Sequence, residues 1–131
     1  MWKSTNFNVL IIQDCLNTLN SLRNTLNSDD FKILASNGDH ALETSIKEEP
    51  DVILMDLLLK NRKGFDILQS LKNHWNTEDI PIIITTKINT QEHWDESYRL
   101  GASGYVVLGK HNHYLPEKIR KVAKYRKALA S

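Results

Sequence analysis

The stretch that most constrains this chain is Asp51-Val52-Ile53-Leu54-Met55-Asp56, four consecutive apolar residues between two acids. Pro50 precedes it, and a polar segment from Lys60 to Gly64 follows shortly after. A short apolar run bounded by turn signals reads as a strand buried on both faces, as in a parallel sheet. Such a strand delivers its last residue to the carboxyl edge of the sheet, where open α/β folds place their sites. That residue is Asp56. A carboxylate at the end of a buried strand costs desolvation energy unless donors or a cation meet it, so Asp56 is a candidate functional group, with a helix-capping or loop aspartate as the alternative for the stretch taken alone.

The rest of the chain alternates in the same style. Phe7 to Ile12, Phe31 to Ala35, Pro81 to Thr85 and Tyr105 to Leu108 are further apolar, β-rich runs. Leu16, Leu19, Leu22 and Leu26 recur at three- and four-residue steps and predict a helix stripe. Asn37-Gly38 turns the chain into a helix carrying Ala41, Leu42 and Ile46, closed by Pro50. Another begins near Gly64 with Phe65, Leu68 and Leu71 on one face. The segment from Thr90 to Leu100 predicts a polar helix whose apolar members are mainly Trp94 and Tyr98, and Pro116 opens a last helix to about Leu129. Five strands alternating with five helices imply an α/β domain, a parallel sheet covered on both faces. The whole of 1–131 reads as one such domain with no further output domain.

Composition narrows the function classes. A net charge of +1 argues against bulk attraction to nucleic acid or to an anionic membrane. The single cysteine, Cys15, excludes an internal disulfide and fits a reducing compartment. With no leader and no long apolar segment, a cytoplasmic protein is expected. His111-Asn112-His113 has a spacing that a metal uses, but no third ligand is evident.

Several pieces then fall into one pattern. Asp14 follows the first strand, Asn37-Gly38 precedes Ala41-Leu42, and Gly64 stands eight residues past Asp56. Pro81-Ile82-Ile83-Ile84-Thr85-Thr86 and Gly101-Ala102-Ser103-Gly104-Tyr105-Val106-Val107 complete the set. In this order the chain resembles the receiver domain of two-component response regulators, and the last run is similar to the chemotaxis receiver CheY. The resemblance implies a flavodoxin-like doubly wound sheet of order 2-1-3-4-5. It implies phosphoryl transfer to Asp56 from a histidine kinase or phosphotransfer protein, a reaction that needs a carboxylate nucleophile and electrostatic help for the phosphoryl oxygens. It also implies Mg²⁺ held by Asp14, Asp56 and the Leu58 carbonyl, with Thr86 as the active-site hydroxyl and Tyr105 as the switch aromatic.

Departures from the family pattern are equally specific. Gln13 replaces an acid, so the expected Mg²⁺ is weak, with Gln13 reaching it through water. Leu108 and Gly109 stand where the family has a lysine and a proline, and Lys87 stands where it has a small residue. Lys87 is the candidate to replace the missing lysine; Lys110 reads as a solvated loop residue. The alternative function is a degenerate pseudo-receiver, an interaction module that works without phosphorylation. Either way, output is expected through a protein partner or a homodimer on the fourth helix, fifth strand and fifth helix. There Glu92, Asp95 and Glu96 face Lys118, Arg120, Lys121 and Lys124 across Tyr105.

Overall fold

A computed structural model describes residues 6–61 and 63–130. Residues 1–5, on which part of the reading of no leader rests, lie outside the described residues, as does Arg62 of the polar segment. Among the described residues, the strands are β1 (Phe7–Ile12), β2 (Phe31–Ser36), β3 (Val52–Met55), β4 (Ile82–Thr86) and β5 (Gly104–Val107). The helices between and after them are α1 (Leu16–Thr25), α2 (Ala41–Glu48), α3 (Gly64–Asn73), α4 (Gln91–Arg99) and α5 (Leu115–Ala130). Short 3₁₀ turns, Gly38–His40 and Asn112–Tyr114, lead into α2 and α5.

All strand pairs are parallel and the order is β2-β1-β3-β4-β5, as expected. The register sets Ile12 beside Met55 and Met55 beside Ile84, two residues before β4 ends at Thr86, so β1, β3 and β4 finish at one edge. Val9 to Ile12, Val52 to Met55 and Ile82 to Ile84 have no exposed surface because helices cover both sheet faces. One apolar cluster joins Leu10, Ile53, Met55 and Ile84 to Leu68 and Leu71 of α3. The other joins Ile11, Leu54 and Val106 to Leu22 of α1 and to Leu115 and Ile119 of α5. Complete burial of each such side chain contributes about 1.5–3 kcal/mol, which makes this alternation the main determinant of the fold.

Several local details differ from the sequence expectation, beginning with β2, which runs one residue further to Ser36, and β5, which spans Gly104–Val107 rather than Tyr105–Leu108. Leu16, the first member of the α1 stripe, is 68% exposed, whereas Leu22 and Leu26 are buried. β4 begins at Ile82 rather than Pro81 and reaches Thr86, because proline has no N–H to donate while its carbonyl accepts from Ile53. α2 stops not on Pro50 itself but on Glu49, which takes a left-handed conformation (φ 46°) and donates its N–H to the Ser45 carbonyl.

Gly64 is fixed by close approach. A Cβ there would lie 2.5 Å from the Leu57 Cα and 2.9 Å from the carbonyl oxygens of Asp56 and Leu57. The start of α3 is thereby pressed onto the chain that leaves β3, and this contact holds the loop beside Asp56.

Candidate functional site

The edge where β1, β3 and β4 end carries Gln13, Asp14, Asp56 and Thr86. The Asp56 backbone N–H donates to the Ile12 carbonyl at 3.2 Å, which ties the residue to the end of β1. The residue is only 7% exposed. Each carboxylate oxygen has its own donor: Oδ1 accepts from the Leu58 N–H at 2.9 Å, and Oδ2 from Gln13 Nε2 at 2.9 Å. These bonds meet the desolvation cost foreseen for an acid at this place.

Gln13 is itself buried (6% exposed), and its amide orientation is determined twice. Oε1 accepts from the Cys15 N–H at 3.0 Å while Nε2 faces Asp56. A flipped amide would set oxygen against carboxylate and N–H against N–H, so only one orientation satisfies both neighbours. Asp14 is half-buried, and it too meets backbone donors: Oδ1 accepts from Gly38 at 3.3 Å and Oδ2 from Lys60 at 2.7 Å. Among the described residues no three His, Cys, Asp or Glu side chains converge on one point where a metal could sit.

Thr86 is fully buried at the end of β4, its hydroxyl oxygen 3.4 Å from the Ile88 N–H. Tyr105 points inward, donates its hydroxyl to the Ile88 carbonyl at 2.7 Å and stacks on Trp94 at 4.8 Å between ring centroids. Its phenol is pushed up to about 12, first by burial and then by the negative charge of Asp56. The aromatic and the acid are therefore electrostatically in touch.

Lys87 is exposed just past Thr86, and its charge acts on the Cys15 thiol. That thiol is exposed and lowered mainly by hydrogen bonding to Thr18, with the Lys87 charge a smaller contribution. Leu108 is buried among Val106, Leu115 and Ile119, a core residue on the α5 side of the sheet. Lys110 is exposed.

One feature was missed at the sequence level. An open groove of about 460 Å³ runs beside the loop after β3, lined by Leu57, Leu58, Lys60, Phe65, Ile88 and His93. Leu58, 60% exposed, forms part of its wall. The apolar triplet Leu57-Leu58-Leu59, continuing beyond the strand end, is the signal that would have pointed to it.

The profile of the response regulator receiver domain family matches residues 9–120. The chain belongs to that family. Among curated relatives, the transcriptional regulatory protein YdfI of Bacillus subtilis is 34% identical over 102 residues, covering 76% of this chain and 46% of YdfI. The receiver chain thus spans less than half the length of that relative. In structure it is similar to the chemotaxis protein CheY4 of Vibrio cholerae, with a TM-score of 0.81, 22% identity, and 90% and 99% of the two chains covered. It is equally similar to the receiver domain of a sensor histidine kinase of Pseudomonas aeruginosa, described with magnesium coordinated in its active-site cleft. That match has a TM-score of 0.81, 18% identity, and coverage of 92% and 99%. No helix among the described residues of this receiver is long and apolar enough to cross a membrane.

Proposed function

We propose that this receiver domain accepts a phosphoryl group on Asp56 from a histidine kinase or phosphotransfer protein and signals through protein contacts in the cytoplasm. The observation that carries the reading is the placement of Asp56. It is the acid at the carboxyl end of the central strand, oriented through both oxygens, and the hydroxyl of Thr86 ends the adjoining strand. In the transfer a carboxylate oxygen of Asp56 attacks phosphorus, the N–P bond of the donor phosphohistidine breaks, and the imidazole leaves while an acyl phosphate forms.

The ligand set implied by the family suits a hard divalent ion: the carboxylates of Asp14 and Asp56 and the Leu58 carbonyl would offer only oxygen, as Mg²⁺ requires. Such an ion supplies positive charge for the transferred oxygens. With Gln13 in place of an acid, the Coulomb attraction for the ion is reduced and binding is weak. Lys87 is the cation assigned to the phosphoryl group, since Leu108 belongs to the core and cannot serve. Thr86 and Tyr105 form the switch. The output surface is the face of α4, β5 and α5, where Tyr98, Asp95 and Lys121 are exposed.

The Gln13–Asp56 hydrogen bond also favours a second reading, a pseudo-receiver that keeps the fold and binds its partner unphosphorylated. Intact mass after treatment with a small phosphodonor and Mg²⁺ separates the two. Phosphoryl acceptance predicts one added phosphoryl group on the wild type and none on Asp56→Asn. An unmodified wild type selects the pseudo-receiver.

A further inference from the structure

Resting on the reading of Asp56 as the acceptor, we infer that Gln13 is a built-in clamp that competes with a divalent cation for the Asp56 carboxylate. This differs from weak binding through a lost charge alone. A missing charge only lowers attraction, whereas the clamp occupies the oxygen that the ion needs. Nε2 donates to Asp56 Oδ2 at 2.9 Å, so the face of Gln13 turned to the carboxylate carries N–H hydrogens rather than a ligand oxygen. Its oxygen is engaged by the Cys15 N–H at 3.0 Å. Rotating the amide to offer oxygen to an ion would break both bonds and leave a buried N–H without a partner.

The second acid is held in the same manner. Both oxygens of Asp14 accept backbone N–H groups, from Gly38 and Lys60, which tie the turn after β2 to the loop after β3. The two carboxylates are thus satisfied by four protein donors without an ion: Leu58, Gln13, Gly38 and Lys60. In this site Gln13 is a positioning residue. It sets the orientation and charge balance of Asp56 in the ion-free state and must release Oδ2 before the ion gains it.

The clamp makes a prediction of opposite sign to a ligand role. If Gln13 helped to hold the ion through water, its removal would weaken binding. As a competitor, its removal strengthens binding, although no charge is added. Wild type and Gln13→Ala are titrated with magnesium chloride alone, with the Leu58 amide resonance as readout. The variant is expected to bind roughly tenfold more tightly, the scale of one hydrogen bond to a charged acceptor. Equal or weaker binding by the variant overturns the clamp.

Should Gln13→Ala fail to fold, the wild type still decides. Its Gln13 side-chain amide resonance should be protected from solvent exchange without the ion and lose that protection in step with Mg²⁺ binding. In Asp56→Asn the protection should already be reduced. A side-chain amide that responds to neither change contradicts the inference. No phosphodonor enters these measurements, so failure of Asp56 to accept a phosphoryl group leaves their outcome intact.

Discussion

Gly64→Ala tests how tightly the helix start and the site loop are locked together. The added methyl would sit 2.5 Å from the Leu57 Cα and 2.9 Å from the carbonyl oxygens of Asp56 and Leu57. Ordinary carbon contacts lie at about 3.5–4.0 Å, so the overlap with Leu57 is about 1 Å. Every atom it meets is backbone, which cannot rotate away as a side chain would. Overpacking of this kind costs about 1–3 kcal/mol. The helix-propensity gain of alanine over glycine, about 1 kcal/mol in a helix interior, is smaller at a first helical position and does not offset it. A chain of this size should lose about 2–8 °C of melting temperature per kcal/mol. Urea and thermal denaturation followed by circular dichroism measure the change, with Gln69→Ala on the exposed side of α3 as the neutral control. Because the clash bears on the residues between Asp56 and Leu58, the Leu58 N–H to Asp56 bond should weaken as well. A variant as stable as the wild type would refute the reasoning that Gly64 is dictated by contact.

Tyr105 should be a late tyrosine to ionise in an ultraviolet titration, near pH 12, and Asp56→Asn should lower that value by removing the charge opposed to the phenolate. The folded phenol holds its proton above the ordinary value of 10.0, so between about pH 10 and 12 the unfolded chain binds fewer protons and stability falls as pH rises. Charge reversal at Asp95 and Glu96 should weaken self-association or partner capture in sedimentation and pull-down assays, with partial rescue on reversing Lys118 and Lys121. Unchanged sedimentation and capture would move the interaction surface elsewhere. Glu96 is already paired with Arg99 through bonds of 2.6 and 2.7 Å, so Asp95 should contribute the larger part of the effect. Exposed pairs of that sort stabilise the fold by only about 0–1 kcal/mol, and melting temperature should hardly move.

The strands were legible because burial on both faces demands unbroken apolar runs, and Val52–Met55 and Ile82–Thr86 follow them closely. The strand order, by contrast, came from family resemblance: periodicity identifies a parallel sheet but not which strands are neighbours. Asp56 was legible from its place at the end of β3. The orientation of Gln13 was not, because whether an amide offers oxygen or nitrogen depends on partners distant in sequence, here Asp56 and the Cys15 backbone. The engagement of Asp14 by Gly38 and Lys60 was hidden for the same reason. Leu108 could be seen as a missing lysine, but its membership of the α5 core becomes visible only once β5 and α5 are packed. Likewise, the exposure of Leu16 departs from its stripe, because three- and four-residue spacing marks a helix face but not how far along that face the packing extends.

The central claim is that Asp56 is the phosphoacceptor, and locating the acyl phosphate tests it most directly. The chain is treated with a small phosphodonor and Mg²⁺, reduced with borohydride to convert any aspartyl phosphate to homoserine, and mapped by peptide mass spectrometry. The account predicts homoserine at position 56 and at no other aspartate. Homoserine at Asp14, Asp51 or Asp66, or none at all, would contradict it.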